Sequence, residues 1–109
     1  MEYLFSYGTL QRNDVQLRLF GRQLAGEKDV LPGYETAVIE INDAAFLAKG
    51  EAKDQLTATA SNGASIEGTV FELTEAELLQ ADSYEPEGYS RIRVELVSGK
   101  EAWLYTTDK

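Results

Sequence analysis

In Leu4-Phe5-Ser6-Tyr7-Gly8-Thr9-Leu10, a short apolar run ends in a glycine flanked by an aromatic and a hydroxyl. A helical pattern follows almost at once. Val15, Leu19 and Phe20 mark one face, Asn13 stands where a capping residue belongs, and Gly21 where a C-terminal glycine is expected. Strand, glycine turn and helix together are a common anion pocket, because glycine admits a close ligand and the first N–H groups of a helix lack partners. The same order is also ordinary architecture. The remainder of the chain has to decide between the two.

Residues 2–7 are expected as a first strand, and 23–28 as a brief strand or extended connection. Leu31-Pro32-Gly33-Tyr34 carries a turn signal, and 34–41 alternates as a strand with Ala37, Ile39 and Ile41 on one side. Residues 54–60 alternate weakly before Asn62-Gly63, which predicts a hairpin with 65–73 as the return strand. Phe71 and Leu73 share one face of that strand, Ile66 and Val70 the other, and Gly68 between them marks a bulge or a close backbone approach. Thr74-Glu75-Ala76-Glu77 is a capping box ahead of Leu78 and Leu79, and Pro86 ends that helix at about Tyr84. Residues 91–97 and 102–106 flank Ser98-Gly99 as a second hairpin, with Ile92, Val94 and Leu96 on one face. Many short strands with two short helices between them predict a single α+β domain over residues 1–109, built as a closed or nearly closed small β-barrel.

The inventory of side chains narrows the chemistry. Nineteen acidic against ten basic residues give a net charge of −9, a field that repels phosphate backbones and anionic lipid, so neither nucleic acid nor membrane is expected as a partner. No apolar run reaches membrane length, and the N-terminus lacks a signal-peptide layout, so a cytoplasmic protein is expected. The chain has no cysteine and no histidine, which removes thiol nucleophiles, thiolate metal sites and the usual general base. The acidic residues lack calcium-loop spacing, and no metal site is expected. Catalysis here has to run on carboxylates, tyrosines, lysines, hydroxyls or backbone.

Leu78, Ala81, Asp82 and Glu85 fall on one face of the second helix. Two are apolar or small, as a buried face requires, and two are carboxylates. A carboxylate on such a stripe is costly unless paired or neutralised. Burial of Glu85 in a cleft beside Pro86 would raise its pKa from about 4.3 towards the range useful for proton transfer. The ordinary alternative pairs Asp82 with Arg91 or Arg93 and leaves Glu85 in solvent, and periodicity alone favours it. Tyr84 and Tyr89 read as packing residues.

Several stretches taken in order change this balance. Tyr7-Gly8-Thr9-Leu10, Leu31-Pro32-Gly33-Tyr34, Ile66-Glu67-Gly68-Thr69-Val70-Phe71, Asp82-Ser83-Tyr84-Glu85 with Tyr89-Ser90-Arg91, and Ala102-Trp103-Leu104-Tyr105 together resemble the signatures of the gamma-glutamylcyclotransferase-like (AIG2-like) family. The resemblance spans nearly the whole chain and implies a small mixed barrel with a cleft beside the Tyr7-Gly8-Thr9-Leu10 turn. It implies release of 5-oxoproline from gamma-glutamyl compounds with no cofactor, the substrate's own α-amine attacking its γ-carbonyl. By motif, Tyr7, Gly8, Thr9 and Leu10 would bind the gamma-glutamyl head, largely through backbone N–H groups, and Glu85 would be the catalytic acid/base. Gly33 and Tyr105 match positions expected near substrate. The expected partner is a small gamma-glutamyl molecule, and the expected assembly a monomer or weak homodimer. A second reading keeps the pocket as a catalytically silent binding module for a small gamma-glutamyl or carboxylate ligand. Residues 44–55 depart from the proline-containing stretch that many members carry there, on the side where the leaving group is shaped.

Overall fold

A computed structural model describes residues 1–86 and 88–107. Strand β1 (Glu2–Ser6) leads through a 3-10 turn (Thr9–Gln11) into helix α1 (Asn13–Phe20), and then into the long strand β2 (Ala25–Glu40). A short helix α2 (Ala44–Leu47), capped by the Asp43 carboxylate, sits in the connection to β3 (Asp54–Leu73). Helix α3 (Glu75–Tyr84) and the strands β4 (Ser90–Glu95) and β5 (Glu101–Thr106) complete the chain.

The strands form one sheet in the order β2-β3-β1-β5-β4, antiparallel throughout except for the parallel pair β1 and β5. Strand β1 is central, and its neighbouring side chains go to opposite faces. Leu4 enters a core under the helices with Val15, Phe71, Leu73, Leu78 and Ala81, while Phe5 enters a second core with Leu31, Ile66, Val70 and Leu104. A strand buried on both faces reads as a continuous apolar run. Gly68 brings β3 against β1: a Cβ there would lie 2.5 Å from the Ser6 carbonyl oxygen and 2.7 Å from Phe5 Cζ.

The sheet is mixed, as expected, but its ladder does not close into a barrel. Strands of 16 and 20 residues lie beside strands of 5 and 6, so the pairing cannot stagger evenly around a closed cylinder. The far half of the long hairpin instead leans across to β5, where Thr106 Oγ1 donates to the Ala58 carbonyl at 2.5 Å and the Thr107 N–H to Thr57 Oγ1 at 3.0 Å.

Two glycine turn signals prove to be bulges. Pairing runs from Ala25 opposite Glu72 to Pro32 opposite Ser65, then resumes with Tyr34 opposite Ala60 and continues to Glu40 opposite Asp54. The chain keeps its direction through both sites. Gly33 (φ 81°) and Gly63 (φ 86°) supply the left-handed backbone that the offset needs, while the reversal falls at residues 41–53. Residues 23–28 and 34–41 therefore belong to one strand, and 54–60 and 65–73 to another. At the first helix Arg12 occupies the cap position without a capping side-chain bond, and Asn13 is already helical. Gly21 adopts φ 73° at its C-terminal end, and its N–H donates to the Leu17 carbonyl at 2.9 Å. The capping box of α3 forms in full: Glu77 N donates to Thr74 Oγ1 at 3.1 Å, and Thr74 N to Glu77 Oε1 at 2.9 Å. The helix stops at Tyr84, and Glu85 is extended at ψ 144°, as the following proline requires.

Candidate active site

The sheet and the end of α3 enclose one pocket beside the glycine turn. Its floor is Phe5 and Ser6, and one wall is Tyr7, Gly8, Thr9 and Leu10. Glu85, Pro86 and Tyr89 form the opposite wall, with Tyr105 from β5 and Phe46, Gln55 and Leu56 from the long hairpin closing the rim. The pocket is partly open to solvent. Six of the seven residues singled out from the sequence thus meet in one place. Gly33 does not line the pocket, because its φ of 81° serves the bulge in β2.

The turn is held from both sides by side-chain amides. Gln11 Nε2 donates to the Ser6 carbonyl at 2.7 Å. Gln16, only 2% exposed, donates to the Leu10 carbonyl at 2.7 Å and accepts from Leu24 N at 2.9 Å. Gln11 and Arg12 bond back to the carbonyls of Gly8 and Thr9 at 3.1 and 3.0 Å, which puts the N–H groups of Thr9 and Leu10 at the open end of the turn. A Cβ at Gly8 would have open space beyond its chain neighbours, so no packing constraint reserves this position for glycine.

Asp82 and Glu85 have parted company. Asp82 receives Arg91 through two bonds of 2.6 and 2.9 Å and the Tyr105 hydroxyl at 2.6 Å, which is the ion pair that the ordinary reading anticipated. Glu85 is partly buried among Tyr7, Tyr89, Tyr105 and Pro86, with no ion pair to it among the described residues. Burial pushes its pKa up to about 8; Lys49 pulls it down and Asp82 adds to the rise. The surrounding tyrosines remain protonated. Burial raises Tyr7 and Tyr105 well above the usual phenol range and Tyr89 to about 12. Tyr7 is further fixed by donating its hydroxyl to the Tyr105 carbonyl at 2.7 Å. The pocket therefore sets a carboxyl with a raised pKa across from the start of the 3-10 turn.

Tyr89, which the sequence suggested as a packing residue, lines the pocket and anchors its rim by donating to the Leu56 carbonyl at 2.7 Å. Phe46, Gln55 and Leu56 carried no sequence signal, because the hairpin bend that delivers them is a tertiary feature. Among the described residues no three carboxylates gather closely enough to hold a metal ion, and no helix is long and apolar enough to cross a membrane.

The family model described as gamma-glutamyl cyclotransferase, AIG2-like, matches residues 4–109. This chain belongs to that family. Solved structures share the cyclotransferase-like fold at low sequence identity. A protein from Arabidopsis thaliana superposes with a TM-score of 0.76 at 21% identity, covering 96% of this chain and 67% of its own. One described as gamma-glutamyl cyclotransferase gives 0.76 at 17%, covering 96% and 65%. An uncharacterized protein from Homo sapiens gives 0.76 at 18%, covering 99% and 67%. The chain thus spans about two thirds of the length of each of these cyclotransferase-like structures. No curated protein is significantly similar to it in sequence.

Proposed function

We propose that the protein is a cofactor-independent cyclotransferase that releases 5-oxoproline from a gamma-glutamyl amine or gamma-glutamyl peptide. The observation that carries this reading is that Glu85 and the 7–10 turn face one pocket, with no other charged side chain lining it among the described residues. The turn holds the gamma-glutamyl head, its backbone donors serving the carboxylate or the developing oxyanion. The substrate's α-amine nitrogen bonds to its own γ-carbonyl carbon, and the bond from that carbon to the leaving nitrogen breaks. Glu85 accepts the proton from the attacking nitrogen and returns it to the leaving one. Because both reactants lie in one molecule, the protein's main contribution is to hold the chain curled. A carboxyl with a pKa of about 8 suits both halves of the transfer, since it gives up and takes back a proton close to neutral pH.

The test incubates the protein with a panel of gamma-glutamyl amines and peptides and measures 5-oxoproline by mass spectrometry. Product from the native chain and none from Glu85→Gln supports the reading. Thermal stabilisation by these compounds with no product from any of them replaces it with the silent binding module.

A further inference from the structure

The last turn of α3 carries no basic residue of its own, yet its final carbonyls need donors and its C-terminal end favours a cation. The cation comes from another element. Lys49, just past α2, donates its ammonium to the Tyr84 carbonyl at 3.0 Å and reaches the Ser83 carbonyl at 3.5 Å. Its Nζ also lies 4.8 Å from the centre of the Tyr84 ring and 5.9 Å from that of Phe46. Tyr84 immediately precedes Glu85, so this contact grips the backbone from which the pocket carboxyl hangs.

The same segment is tied down on its other side. Glu51, with a side chain only 2% exposed, receives Arg12 at 3.2 Å and Arg18 at 3.4 Å. Arg12 lies two residues past the substrate-head turn. Residues 49–51 therefore bridge the two halves of the site.

We propose that Lys49 is a positioning residue that pins the end of α3 and sets a positive charge beside the backbone that carries Glu85. This rests on the reading of Glu85 as the proton carrier. The groups that face Glu85 are Asp82 on its own helix, Lys49 from the α2–β3 connection, and the hydroxyls of Tyr7, Tyr89 and Tyr105. Asp82 is held by Arg91 and the tyrosines stay neutral, so among the described residues Lys49 is the cation that acts on it. Lys49→Met removes the charge and the grip together, Lys49→Gln removes the charge but keeps a donor, and Lys49→Arg keeps both.

The test is a carboxyl-carbon NMR titration of Glu85 in the native chain and the three variants, assigned by the signal missing in Glu85→Gln. Losing the positive charge favours the protonated carboxyl, so Lys49→Met and Lys49→Gln raise the titration midpoint by about one pH unit, roughly a tenfold change in ionisation constant. Lys49→Arg stays within a few tenths of a unit of the native midpoint. An unchanged midpoint in either charge-free variant overturns the proposal, and Lys49→Gln decides if Lys49→Met does not fold. Where the native chain turns over substrate, the pH profile of kcat/KM moves in the same direction. Absence of turnover would sink the cyclotransferase reading, while the titration would still decide the role of Lys49.

Discussion

At the first turn of α3, Glu77 accepts two bonds from Arg22, at 2.8 and 2.7 Å, and one from Thr74 N. At the far end of the same helix, Glu85 hangs in a pocket of aromatic and apolar side chains. The Arg22 guanidinium holds Glu77 well below the usual carboxylate range, at about 2, while burial lifts Glu85 to about 8. The direction agrees with the helix dipole, which favours a carboxylate at the N-terminus and disfavours one at the C-terminus. A saturated carboxylate fixes structure and has no proton to trade. One without such partners is held at a cost, which is what the proposed proton transfer by Glu85 would use.

The contrast breaks most sharply on activity. Glu85→Gln should lower 5-oxoproline formation by about 10²- to 10⁴-fold, the usual contribution of a general acid/base, while Glu77→Gln should leave the rate per folded molecule near native. Comparable losses in the two variants would end the division of roles.

Stability should show the reverse order. Glu77→Gln deprives Arg22 of its charged partner and is expected to cost about 1–3 kcal/mol in urea denaturation. Glu85→Gln, tested near pH 8, should cost nothing and raise the midpoint.

The pH dependence sharpens the pair. Glu77 binds its proton more weakly folded than unfolded, so its contribution is present above the unfolded value of about 4.5 and is lost as pH falls towards 2. Glu85 binds its proton more tightly folded, so its contribution is full below about 4.5 and is lost as pH rises through about 8. The melting temperature of Glu85→Gln minus that of the native chain should therefore grow between pH 5 and pH 9. A flat difference would show that Glu85 is not desolvated in solution.

The smallest effect belongs to an exposed carboxylate. Asp14 pairs with Arg12 at 2.7 Å, but both side chains are more than half exposed, and Asp14→Ala should leave the denaturation midpoint unchanged within error.

Much of this was legible in the chain order. The capping box, the proline stop and the apolar spacing placed α3 and put Asp82 and Glu85 on its inner side, since helix periodicity and caps are local properties. The glycine after the first strand marked the turn for the same reason. Gly33 and Gly63 were legible only as positions of left-handed backbone. Whether such a residue reverses the chain or offsets two strands depends on the partner strand, and pairing of β2 with β3 over their whole length made both of them bulges.

The fate of the two carboxylates was likewise beyond sequence. Spacing made Asp82 and Glu85 equivalent candidates, and only the crossing of β4 and β5 behind α3 gave Arg91 and Tyr105 to Asp82 and left Glu85 to the pocket. Lys49 and Glu51 carried no signal either, because their partners lie more than thirty positions away in the chain. Sequence by itself determined α1 and α3, their C-terminal ends, the glycine turn and the family, since these rest on neighbours within a few residues and on ordered motifs, while the short α2 went unread. Tertiary structure alone decided which acid is paired and which is buried in the pocket with a raised pKa, because a charge is set by whatever packs around it and not by what lies next to it in the chain.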